Sequence, residues 1–426
     1  MADYTKMWSE LGLDLEGHDA LLSILGSAYG DIFLSQKNRP EGMKYFDFVM
    51  SEVHGLRIQE LMDAKAQGRK VIGSYCVYVP EELILAVDGI SVGLCAGAEF
   101  NFEGAEEVLP RNTCALIKSA FGFKIGMVCP YLEASDVVVG ENTCDGKKKS
   151  YEILAPMVKD LYVMDLPQMK TDMGRALLKE EYRRFIAKLE SVAGKRITPE
   201  LLKKGIEIVN AKRMAVKRLA EIRTADPAPI SGLDALLINQ VFFYDDPVRF
   251  THSVNQLCDE LEDRVKKGIG VFAPGTTRVL VSGCPMAVPN WKLPMLIESS
   301  NAVIVGEESC VGERGTRWLT ESRGETMEDL LDALTDRYFS IDCAVFTPNP
   351  SRGEYVKEMT KKLNAQGVIH YSLQFCQPYI VESGPVENEL ENSSIPTLRL
   401  ETDYSQEDAG QLKTRIEAFI ERLEKK

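Results

Sequence analysis

The sequence has no apolar run approaching the roughly 20 residues that span a bilayer. Its start, Met1-Ala2-Asp3-Tyr4-Thr5-Lys6, lacks a basic segment followed by an apolar one. A cytoplasmic protein without membrane attachment is expected. Positive charge is also scarce: 50 basic against 64 acidic side chains give a formal net charge of −14. That balance argues against a nucleic-acid partner, while leaving room for a local basic pocket that holds a small anionic substrate. No Gly-x-x-x-x-Gly-Lys-Ser/Thr occurs, so this chain is not expected to hold ATP through a phosphate loop. No Gly-x-Gly-x-x-Gly follows the first expected strand, and the nicotinamide fingerprint is missing with it. Histidines number only four (His18, His54, His252 and His370), with no zinc-protease spacing. The absence of Cys-x-x-Cys removes the usual zinc-ribbon and thioredoxin signals.

What remains is a chain of 426 residues, 45% hydrophobic and 27% charged, long enough for two to three domains at about 150 residues each. Residues 1–65 carry apolar residues at helical spacing. Short apolar strands then alternate with helices over 66–170: Val71–Tyr75, Ile90–Leu94, Val137–Val139 and Leu161–Met164. From 171 to 274 the text is charged, alanine- and leucine-rich and helical. A second strand series follows over 275–426, at Val279–Ser282, Ala302–Val305, Ala344–Phe346, Val368–Ser372 and Thr397–Leu400, closed by a helix from Asp408 to Glu424. Apolar strands alternating with helices predict an α/β protein with two parallel sheets, each covered on both faces.

The two strand series read as divergent copies. Val71-Ile72-Gly73-Ser74-Tyr75-Cys76 parallels Val279-Leu280-Val281-Ser282-Gly283-Cys284. Each second strand leads through a loop to a cysteine, Cys114 or Cys310. Asp136 and Val368 each open a third strand eight residues before Cys144 or Cys376. Ligands collect beyond the carboxyl ends of parallel strands. Two facing copies would therefore bring Cys76, Cys114, Cys144, Cys284, Cys310 and Cys376 to one inter-domain cleft. Helix starts capped by Thr113, Thr143 or Ser309 would steady their thiolates. Thiols dispersed over separate loops suit an iron–sulfur cluster better than zinc.

The other cysteines, Cys95, Cys129, Cys258 and Cys343, stand outside the repeat and read as small core residues. Lys147-Lys148-Lys149 reads either as a solvated helix face or as compensation for cluster charge or thioester phosphates. Glu307 and Glu308 are acid/base candidates.

Gly73-Ser74-Tyr75-Cys76-Val77-Tyr78-Val79-Pro80-Glu81-Glu82, Asn142-Thr143-Cys144-Asp145-Gly146-Lys147-Lys148-Lys149 and Gly306-Glu307-Glu308-Ser309-Cys310-Val311-Gly312 resemble the 2-hydroxyacyl-CoA dehydratase and benzoyl-CoA reductase family. The resemblance covers nearly the whole chain. It implies two Rossmann-like domains with helical additions, an iron–sulfur cluster between them and a separate ATP-hydrolysing activator that injects low-potential electrons. Three cysteines hold one cubane in dehydratase subunits, matching Cys114, Cys144 and Cys376. The additional Cys76, Cys284 and Cys310 make the set resemble the double-cubane branch, in which six cysteines hold two [4Fe-4S] cubanes joined by a sulfide. The implied function is an ATP-dependent reductase component acting on a small, hard-to-reduce molecule as a homodimer. A single-cluster 2-hydroxyacyl-CoA dehydratase subunit, a non-catalytic electron carrier and a structural protein with incidental thiols are the competing readings.

Overall fold

The computed structural model describes residues 3–322 and 324–425. Eight strands form two four-stranded parallel sheets. The first contains β1 (Val71–Ser74), β2 (Ile90–Gly93), β3 (Val137–Glu141) and β4 (Leu161–Met164) in the order β2-β1-β3-β4. The second contains β5 (Thr277–Gly283), β6 (Ala302–Glu308), β7 (Gly367–Leu373) and β8 (Thr397–Thr402) in the order β6-β5-β7-β8. The two orders are the same, which gives the repeat a structural basis. The strand expected at Ala344–Phe346 does not form; the chain makes a turn there. Thr347-Pro348-Asn349-Pro350, just beyond it, is a breaker signal that outweighs three apolar residues.

Side-chain alternation explains the burial of both sheet faces. In the second sheet, Val279, Val281, Ile304 and Ile369 enter one core, while Leu280, Val303, Val305 and Val368 enter another. In the first, Ile72, Val137 and Val139 face one way, and Val71, Val92 and Val138 the other.

The helical middle is delimited by its caps. Thr171 accepts from the Gly174 amide at the start of Asp172–Ala193, which ends at Gly194 with φ +65°. Thr198 and Asp246 cap Pro199–Ile222 and Pro247–Lys266, both with proline in the first turn. Packing interleaves the segments. Tyr29, Phe33, Met43, Phe46 and Met50 of the N-terminal helices join a core of the second sheet. Leu330, Leu334, Tyr338 and Phe346, late in the chain, join a core of the first. No helix among the described residues is long and apolar enough to cross a membrane.

Glu298 ties these layers together. Its carboxylate accepts the amides of Gly232 and Leu233, at 2.7 and 3.2 Å, and of Ile304 at 3.2 Å. Burial pushes its pKa up from 4.5 to about 7, and the amides counter that only in part. Since the folded value exceeds the unfolded one, the protonated form favours folding. The contribution is complete below about pH 4.5 and disappears as pH rises through about 7. Glu298→Gln is expected to flatten the loss of stability between about pH 5 and pH 8 in urea midpoints. An unchanged slope would contradict this assignment.

Candidate functional site

Both sheets end their strands toward one cavity of about 1070 Å³. The chain reaches it just past the strand ends: Cys76 lies two residues beyond β1, Cys284 directly after β5, Cys144 three beyond β3 and Cys376 three beyond β7. Gly283, with φ +135°, makes the turn before Cys284; a side chain there would collide with the Tyr371 carbonyl at 1.9 Å.

All six cysteines singled out from sequence line this cavity, and so do Cys95 and Cys343. The repeat is fuller than the sequence alone suggests. Cys95 lies two residues beyond β2 as Cys310 lies two beyond β6, so these two correspond. Cys114 and Cys343 share the connection from second to third strand. Each half thus contributes four thiols in matching places. Cys343 is masked in the sequence by the apolar residues directly after it, which imitate a strand. Cys95 is masked by the pairing of Cys310 with Cys114. Cys258 lies in a hydrophobic core, and Cys129 caps the short helix Pro130–Ala134; neither lines the cavity.

The helix caps also differ from expectation. Cys114, Cys144 and Cys376 themselves occupy the N-cap positions of Ala115–Ile125, Asp145–Leu154 and Gln377–Asn392, so Thr113 and Thr143 do not cap. The helix after Ser309 starts only at Glu313, with Gly312 as its N-cap.

The thiols influence one another in two sets. The Cys376 thiol is the largest influence on Cys114, ahead of burial, and raises its pKa well above the ordinary value. Cys114 pulls Cys376 down, but Cys284 and burial outweigh it and leave the Cys376 thiol raised well above its ordinary value. Cys284 accepts the Leu373 amide at 3.3 Å. Burial raises Cys144, opposed by the amides of Lys147 and Gly146, with Cys114 as its nearest acidic thiol. The second set is Cys76, Cys310 and Cys343. Burial raises Cys76, with Glu141 adding to this and Lys147 opposing it. Burial and then Cys310 push Cys343 up to about 11. Cys95 is pushed up to about 12 by burial and donates its thiol to the Tyr75 carbonyl at 3.0 Å.

Two cations reach the sulfurs from the protein side. Lys147 turns inward, its Nζ 3.1 Å from Glu141, while Lys148 and Lys149 point out with about half or more of their side chains exposed. The lysine run therefore divides between the two roles expected for it. Arg314 places Nη1 3.7 Å from the Cys310 sulfur and donates also to the Tyr379 hydroxyl. It is held by Glu308 at 2.6 and 2.8 Å.

This geometry removes Glu307 and Glu308 from the acid/base candidates. Burial would raise Glu308, but Arg314 and Arg352 outweigh it and hold the carboxyl at about 2. Glu307 is buried in a two-pronged pair with Arg223, both contacts 2.7 Å. Glu308 is therefore a fixed counter-charge with no proton to trade near neutral pH, and Glu307 is fully engaged by Arg223.

A family profile described as "2-hydroxyglutaryl-CoA dehydratase, D-component" matches residues 76–423. The chain belongs to this dehydratase family. It is 36% identical over 379 residues to "Putative dehydratase subunit YjiM" of Escherichia coli (strain K12), covering 88% of this chain and 96% of that one. It is 26% identical over 384 residues to the "(R)-phenyllactyl-CoA dehydratase beta subunit" of Clostridium sporogenes, covering 89% and 99%. It is 24% identical over 362 residues to a subunit of the benzoyl-CoA reductase of Thauera aromatica, covering 81% and 87%. The chain is thus similar over most of its length to both dehydratase and reductase subunits.

Lys147→Met removes the cation that lowers the Cys76 pKa and frees Glu141 to raise it further. Because the thiolate is the nucleophile, iodoacetamide labelling of Cys76 in metal-free protein should slow severalfold. Labelling of Cys114 should be unaffected. Equal slowing at both sites, read by mass spectrometry, would point to a general structural change instead.

Proposed function

We propose that this member of the dehydratase family is an ATP-dependent iron–sulfur reductase component of the double-cubane [8Fe-9S] type. In this reading it takes low-potential electrons from a separate ATP-hydrolysing iron–sulfur activator and passes them to a small molecule that resists reduction. The observation that carries the reading is the ring of cysteines, four from each sheet unit, around one cavity of about 1070 Å³. Among the described residues no three His, Cys, Asp or Glu side chains converge as a single metal ion would need. Donors that are all sulfur and spread around a wide cavity fit two [4Fe-4S] cubanes joined by a sulfide better than a lone ion.

Cys76, Cys114, Cys144, Cys284, Cys310 and Cys376 are the proposed ligands, with Cys343 a further candidate through its grouping with Cys76 and Cys310. When bound, such a group supplies reversible one-electron storage at a potential set by charge, sulfur hydrogen bonding and burial. The chain's own residues set those terms. The buried thiols must give up protons on metal binding, which makes loading favourable at higher pH. Lys147 and Arg314 then place positive charge beside the sulfurs, the Leu373 amide supports Cys284, and Phe243, Tyr244 and Phe375 shield the cavity from water. The absence of a phosphate loop is why the ATP-hydrolysing step is assigned to the partner. A cytoplasmic homodimer is the proposed assembly.

Anaerobic iron and acid-labile sulfide analysis tests this. About eight irons per chain are expected, with loss in Cys114→Ser and Cys310→Ser but not in Cys258→Ser. About four irons together with dehydration of a 2-hydroxyacyl-CoA would replace this reading with the dehydratase one. An iron-free product after anaerobic reconstitution would end both.

A further inference from the structure

The wall that carries Cys76 and Cys310 has a second side. A chamber of about 50 Å³ lies there, sharing these two cysteines with the large cavity and lined also by Lys212, Arg213 and Arg337. One water-sized species needs roughly 10–15 Å³, so only one or a few small species fit.

The charges around the chamber do not cancel. Lys212 is matched by Glu81, its Nζ 3.0 and 2.9 Å from the two carboxylate oxygens. Arg213 is matched by Glu82, 2.7 Å from Nη1. Arg337 makes no ion pair with any carboxylate among the described residues. Its Nε donates to the Trp318 carbonyl at 3.1 Å and its Nη2 to the Gly315 carbonyl. Its Nη1 has no hydrogen-bond partner, and neither does the Nε of Arg213, although these residues are only 4% and 3% exposed. Burial, then the charge of Arg213, push Arg337 down to about 10, which leaves it a cation at neutral pH. Three cations against two carboxylates leave one positive charge, buried and with unused donors, a combination proteins strongly disfavour unless a partner is present.

We propose that this chamber is a binding site for a small monovalent anion of halide size, held by the unused donors of Arg337 and Arg213. One negative charge completes the local balance, whereas a dianion would overshoot it. The site does not depend on the cluster reading, since its donors and its cavity belong to the protein alone. An occupant would set negative charge beside Cys76 and Cys310, next to the large cavity.

Crystals of the purified protein, soaked in sodium bromide and measured at the bromine absorption edge, test the site. Iron and sulfide are assayed on the same batch, so a failure here and a failure of the cluster reading are separately visible. An anomalous peak beside Arg337 in wild-type crystals is expected, with its loss in Arg337→Gln. Wild-type crystals that label surface positions but show no peak in the chamber would overturn the proposal, even if the variant does not fold. A peak that persists in Arg337→Gln would overturn the assignment to Arg337.

Discussion

In a parallel sheet every strand finishes on the same edge, and whatever follows the strands is delivered to one side of the layer. This protein applies that constraint twice, with the same strand order, and turns the two edges toward a common space. The cysteines inherit their positions from this arrangement. Strand pairing, fixed by runs such as Val137-Val138-Val139, decides where each loop begins, and the loop's first few residues supply the sulfur. A residue inserted into β1 or β5 would shift register and swing every side chain to the opposite face. The site is therefore only as well defined as the hydrogen-bond ladder behind it.

Gathering thiols in a buried space has an electrostatic cost, visible in the raised pKa values of Cys76, Cys114, Cys343 and Cys376. Lys147 and Arg314 oppose that cost, and each is itself held in place by a buried carboxylate. Glu141 positions the lysine and Glu308 the arginine, with Ser282 and Arg352 supporting Glu308 in turn. Buried ion pairs of this kind contribute little net stability against a well-packed apolar replacement. Their value here lies in fixing where positive charge meets sulfur.

Strand positions and the repeat were legible in the sequence because short apolar runs between helical segments stand out, as at Val279–Ser282 and Leu161–Met164. The six cysteines were legible because they follow those runs. Cys343 was not, since the three apolar residues after it imitate a strand that Pro348 and Pro350 beyond them break. The roles of Lys147 and Glu308 were not legible either. Which of three consecutive lysines turns inward depends on helix phase relative to the neighbouring sheet. Whether a carboxylate is free depends on arginines 6 and 44 residues further along, and neither relation leaves a local mark in the chain.

The interleaved packing governs how the cavity is reached. Phe33, from the N-terminal helices, stands edge-on to Trp291 with ring centres 4.9 Å apart. Tyr182 of the middle helices meets Tyr338 at 5.8 Å. Each contact lies within one core, yet joins segments far apart in the chain. The halves are stitched together like lapped cloth, each core completed by residues from a distant part of the chain. Val381 lines the cavity and yet stays 70% exposed, so the space around the sulfurs opens to solvent at that side chain.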